Sequence, residues 1–295
     1  MNQQIDGLRA QSKVICTALI FYIIAGRLLA AGYRSLADAM IISETVEKLF
    51  LLMIYVLSVS LPILVLKNGW QAKSSVSKPK SKTMLQTVWL FFAMYFVVLM
   101  LNLISRAIMG VFGLEAESSM PDFPKSTAAA VIFILNYTLF PAVLEEMLFR
   151  GIIIERLRPY GDKTAVVVSS LLFAGAHLSA ANFAGIFVMS LLFGWLAVKK
   201  GSIVPAVIVH LINNVIAALF SWLGANIPRD RYNSALTVLI IVCGIAAAAT
   251  AVFLISSKRK ISLETKLTPG RFFRGVPAAV LLVLIVIMTI ERIVV

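Results

Sequence analysis

The sequence predicts an all-α, polytopic transmembrane bundle of about eight or nine membrane helices, and three observations carry that prediction. Hydrophobic residues make up 60% of the chain and charged residues only 14%, against roughly 45–50% and about 25% in a soluble domain. The excess falls in blocks long enough to span a bilayer, for which about 20 apolar residues are needed, with a range of roughly 17–25. The basic residues are also split unevenly between alternate connecting segments.

The apolar blocks cover residues 14–31, 49–66, 84–105, 126–149, 164–178, 182–198, 202–224, 234–256 and 275–290. No cleavage-like site follows the first block, so it is expected to stay as a membrane helix. Residues 67–83 are polar and lysine-rich and include Pro79, the composition of a cytoplasmic linker. Residues 106–125 form the longest outside loop, with the mixed apolar and acidic character of a short interfacial helix. Residues 164–198 hold no Lys, Arg, Asp or Glu. As one helix they would run about 52 Å, against a hydrocarbon core of roughly 30 Å. The run is therefore expected to fold back at Ser179-Ala180-Ala181-Asn182. A second break is expected at Pro159-Tyr160-Gly161-Asp162, and residues 257–274 read as a basic inside loop. Three regions result: an N-terminal three-helix region (1–125), a core (126–224) and C-terminal helices (225–295).

The net charge of +13 invites a nucleic-acid partner, but the placement of the charges argues against one. With the N-terminus cytoplasmic, inside segments hold 19 of the 27 basic residues and outside segments seven, with Arg27 inside the first helix. That is the positive-inside bias, so the basicity sets orientation in a lipid bilayer. Arg27 is expected to snorkel to the outer interface. Cys16 and Cys243 both lie in apolar blocks and read as small buried hydrophobes.

Ionisable groups within a membrane are costly, which makes them functional hypotheses. Glu145 and Glu146 close an almost uncharged run, with Arg150 four residues on. The chain has two histidines, His177 and His210, and both fall in apolar blocks. Phe173 precedes His177 by four residues and Asn214 follows His210 by four, so each pair shares a helix face. Glu145 and His177 are each 16 residues from Gly161. Antiparallel arms would bring them to one level, and His210 can join them. Adjacent Glu145 and Glu146 point about 100° apart on a helix. Glu146 stands in the favourable order for an ion pair with Arg150, which frees Glu145 to face the histidines. A carboxylate and a histidine can activate water, and a second histidine with an amide can steady an oxyanion. The same Glu145, His177 and His210 could instead ligate a metal such as zinc, with an open position. Asn136, mid-helix, reads as interhelical glue.

No HExxH zinc motif, no GxSG serine motif and no phosphate-cradling glycine loop occurs, and all five aspartates lie outside the apolar blocks. EExxxR at Glu145, Glu146 and Arg150, FxxxH at Phe173 and His177, and HxxxN at His210 and Asn214 resemble the CPBP family, the CAAX proteases and bacteriocin-processing enzymes. The resemblance covers residues 126–224. It implies an intramembrane endopeptidase open to the cytoplasm, with Glu145 and His177 activating water and His210 with Asn214 supporting the oxyanion. Within it, Glu146, Arg150 and Phe173 are structural support. Both metal-dependent and metal-free glutamate mechanisms are argued for such enzymes, so the cofactor is zinc or none. The expected substrate is a peptide or small membrane protein. Two other classes compete: a non-catalytic bacteriocin-immunity or scaffold protein, and a transporter, against which the absence of an internal repeat counts.

Overall fold

The computed structural model describes residues 2–39, 41–67, 81–116, 122–257 and 263–294. They form nine helices: α1 (Asn2–Ala39), α2 (Glu44–Lys67), α3 (Ser81–Val111), α4 (Thr127–Tyr160), α5 (Asp162–Ala176), α6 (Phe183–Lys200), α7 (Val204–Asn226), α8 (Arg229–Ser257) and α9 (Val276–Ile290). Seven of them are long and apolar enough to cross a membrane, while α5 and α9 have 15 residues each. The chain is a multi-pass helical membrane protein, as the composition predicts. The sole sheet element among the described residues is a two-residue antiparallel ladder, β1 (Glu115–Ala116) on β2 (Ile293–Val294).

Both expected breaks are present. The uncharged run divides into α5 and α6, with Asn182 Nδ2 donating to Ser179 Oγ across the connection at 3.0 Å. Between α4 and α5, Gly161 takes φ of +114°, and a Cβ there would stand 2.7 Å from the backbone nitrogen of Lys266. The C-terminal loop crosses this point. Lys163 N donates to Glu264 O at 2.9 Å, and Leu267 N donates to Tyr160 O at 3.0 Å. Glycine is required here by both φ and space.

Helix α4 is regular only in part. Ser126 caps it by accepting from Ala129 N, and the Glu44 carboxylate accepts from the backbone nitrogens of Lys125 and Ser126. A negative group at a helix N-terminus is favourable. Further along, Leu135–Leu139 and Met147–Ile153 are π-helical. Pro141 gives a reason for the first: its ring clashes with the carbonyl four residues back, Tyr137, and a widened turn relieves that clash. The second directly follows the Glu145-Glu146 pair.

Helices α4 to α7 make a central layer. On one side α1 packs against α2 and α9, and α2 lies on α4; on the other, α3 packs against α6 and α8. One buried cluster joins Leu8, Ile15 and Leu19 of α1 to Leu148 and Ile153 of α4 and Phe173 of α5. A second joins Phe91 of α3 to Phe193 and Leu196 of α6 and Val209 of α7. Outward-facing side chains remain apolar, Phe21, Leu28, Leu103 and Ile255 among them, as a lipid-facing surface requires.

Several expectations need correction or fall outside view. Arg27 has a partner that the sequence did not name: its Nη2 donates to Glu291 Oε2 of the C-terminal segment at 3.1 Å. Asn136 is buried, but its Oδ1 has no partner among the described residues, so it makes no interhelical bond through that oxygen. Most of the 67–83 linker lies outside the described residues. So do 117–121 of the outside loop; of its described part, residues 106–111 continue α3 and are followed by a turn at Gly113 and β1, with no separate interfacial helix among the described residues. Cys16 and Cys243 are buried, free thiols.

Candidate active site

The site is assembled on the second half of α4. Glu145 and Glu146 diverge as adjacent helical residues must. Glu146 is completely buried, and its Oε1 accepts from Arg150 Nη1 at 2.8 Å and faces His210 Nδ1 at 2.8 Å. Arg150, 1% exposed, donates from Nη2 to Ser190 Oγ at 2.6 Å and to the Ser190 carbonyl at 3.2 Å. Its guanidinium carbon lies 4.4 Å from the Phe173 ring centre and 5.3 Å from that of Phe193. A buried charge of this kind is tolerable only when paired and hydrogen-bonded, and the two ring faces add a favourable quadrupole contact.

Glu145 turns to a cavity of about 160 Å³ lined by Tyr22, Glu145, Phe149, Ala176 and His177. Its Oε1 accepts from the Tyr55 hydroxyl at 3.0 Å. Its Oε2 is enclosed, has no hydrogen-bond partner among the described residues, and lies 3.8 Å from His210 Nε2. His177 stands at the C-terminus of α5, where its Nδ1 meets the Phe173 carbonyl at 2.8 Å. A carbonyl only accepts, so Nδ1 is the protonated nitrogen and Nε2 of the neutral ring keeps its lone pair. The next residue, Leu178, has φ of +51°. Left-handed backbone at a bulky residue is costly and is held by its surroundings; here it turns the chain sharply after His177.

The structure therefore brings together most of the residues that the sequence singles out. Glu145 and His177 share the cavity, Glu146 pairs with Arg150, and Phe173 packs on Arg150 and on the His177 ring. His210 lies behind the two carboxylates and touches both, rather than facing Glu145 alone. Asn214, one turn along α7, donates to the Thr138 carbonyl at 3.4 Å and accepts from Asn213 Nδ2 at 3.1 Å. It is absent from the cavity lining. The alternative of a metal site fits poorly: among the described residues no three His, Cys, Asp or Glu side chains are grouped as ligands would be.

Tyr55, Tyr22, Ser190 and Phe193 escape a reading of the sequence. Each carried a faint signal. Tyr55 and Tyr22 put a hydroxyl inside an apolar block, and a buried tyrosine hydroxyl usually finds a partner. Ser190 is a hydroxyl within the charge-free run 164–198.

Residues 127–216 match the model of the Rce1-like family, the type II CAAX prenyl endopeptidases. No curated protein and no solved structure matches the chain.

Proposed function

We propose, from the Rce1-like CAAX endopeptidase domain of the CPBP family that residues 127–216 form, that this chain is a glutamate-dependent intramembrane endopeptidase. Its substrate is a peptide or membrane-associated protein. The observation that carries the reading is the placement of Glu145 and His177 on one cavity, next to a Glu146 already committed to Arg150 and His210.

The chemistry follows from which atoms accept and which donate. Glu145 Oε1 and His177 Nε2 are both acceptors, and a water has two protons to give. Held by both, the water presents an oxygen lone pair to a peptide carbonyl carbon in the cavity. As that oxygen bonds to carbon, its proton passes to Glu145 and the carbonyl electron pair becomes an oxyanion. The carbonyl re-forms as the C–N bond breaks, and the leaving nitrogen takes the proton from Glu145. The products are a carboxyl group and an amine. Enclosure of the site strengthens each of these interactions.

His210 is the oxyanion donor in this reading. Its Nδ1 lies 2.8 Å from Glu146 Oε1, and its Nε2 lies 3.8 Å from Glu145 Oε2, beside the reacting carboxylate. Asn214, whose amide donates to the Thr138 carbonyl and which does not line the cavity, holds α7 against α4 beside His210 rather than serving as a donor to the oxyanion. The positive-inside bias of the basic residues supports a cytoplasmic N-terminus, and in this reading the site opens to that side.

The test uses the purified, reconstituted protein and its Glu145→Gln variant, each incubated with a peptide pool and read by mass spectrometry. Products from the native protein alone, unchanged by a zinc chelator, support the proposal. Equal products from both proteins overturn the assignment of Glu145. Products abolished by the chelator overturn the metal-free mechanism. No products from either favour a non-catalytic role.

A further inference from the structure

Residues from outside the family-matched segment reach Glu145 and its cavity. Tyr55 on α2 donates its hydroxyl to Glu145 Oε1 at 3.0 Å, and Tyr22 on α1 lines the same space. Both precede residue 127, where the match begins. Of the two Glu145 oxygens, Oε2 is enclosed and turned to His210. The oxygen left to meet a cavity occupant is Oε1, the one Tyr55 holds.

We infer that Tyr55 is a positioning residue for Glu145, and that α1 and α2 are working parts of the site. The inference rests on the peptidase reading above. A glutamate side chain alone rotates freely about its last bond, so either oxygen could meet the water and either could carry the proton away. In peptide hydrolysis the one carboxyl group takes the proton from water and gives it to the leaving nitrogen, and a fixed plane keeps the cavity-facing oxygen in place for both transfers. A hydroxyl donated to Oε1 fixes the carboxylate plane while leaving a second lone pair on that oxygen for water. Oε2 is enclosed and makes no hydrogen bond of its own among the described residues, so the Tyr55 hydroxyl is the contact that fixes the carboxylate plane. Tyr55 itself makes and breaks no bond. Small misplacements of a reacting group can cost about 100-fold in rate, so losing this restraint shows in turnover rather than in substrate binding.

Three proteins test it: wild type, Tyr55→Phe, and wild type with 3-fluorotyrosine at position 55, which keeps both shape and donor. The substrate is whichever peptide of the pool the wild type cleaves fastest. Tyr55→Phe is expected to lower kcat roughly 10- to 100-fold with KM changed less than about twofold, and the fluorotyrosine protein is expected to recover most of that loss. An infrared difference spectrum against Glu145→Gln isolates the Glu145 carboxylate band without any substrate. Its displacement in Tyr55→Phe supports the contact. An unmoved band, an unchanged kcat, or a change confined to KM overturns the inference. Failure of the wild type to cleave overturns the peptidase reading instead, while the band still reports on Tyr55.

Discussion

His210 Nδ1 lies 2.8 Å from the same Glu146 oxygen, Oε1, that accepts from Arg150. One carboxylate oxygen thus ties α7 to α4, and through Arg150 and Ser190 it also ties α4 to α6. Glu146 is a structural node, and its neighbour Glu145 is left to the cavity. The two adjacent acids should therefore respond differently to the same substitution.

Glu145→Gln is expected to abolish peptide cleavage while the melting temperature stays close to that of the native protein. Glu146→Gln removes one partner of a buried ion pair and should cost about 3–5 kcal/mol of stability. Thermal unfolding of both variants in one detergent checks this. Equal destabilisation by the two would refute the division of roles.

Arg150→Met leaves Glu146 buried without its cation and should destabilise by a similar amount, about 3–5 kcal/mol. Arg150→Lys should recover only part of that loss. An ammonium cannot reach both Glu146 and Ser190 with the planar fork, nor stack between Phe173 and Phe193. Denaturant titrations of the pair measure the difference.

Ser190→Ala removes a hydrogen bond to a charged group, a loss of roughly 1.5–3 kcal/mol. In the Arg150→Met background the same change should cost much less, because the hydroxyl no longer meets a guanidinium. A double-mutant cycle on unfolding free energies reads the coupling; additivity would mean that the 2.6 Å contact carries no energy.

His177→Ala should lower kcat roughly 100- to 10,000-fold, the usual contribution of a positioned proton acceptor, with little change in melting temperature since His177 is only half-buried. Single-turnover assays separate this from weakened substrate binding.

Gly161→Ala places a methyl group against the Lys266 backbone at a φ that side chains avoid. A cost of about 1–3 kcal/mol is expected. Because the crossing loop joins the C-terminal segment to the α4–α5 turn, limited proteolysis should find residues 263–275 cut faster in this variant.

The nine-helix architecture was legible in the sequence because hydropathy and length act locally. A bilayer accepts only apolar runs of fixed span, and a 35-residue uncharged stretch has no choice but to fold back. The Glu146–Arg150 pair was legible for the same reason, being four residues apart on one helix. Equal spacing about Gly161 also put Glu145 level with His177. What the spacing could not supply was rotation. Whether His210 meets one carboxylate or both depends on how α7 is turned against α4, and the π-helical turns in α4 change that register in a way no periodicity records. Tyr55 lies 90 residues from Glu145, and nothing local links a tyrosine in one apolar block to an acid in another. The sequence determines which groups are put into the membrane. Only the packing of α1 and α2 on α4 decides which of them touch, because those contacts are set by side-chain fit between helices rather than by any property of one helix alone.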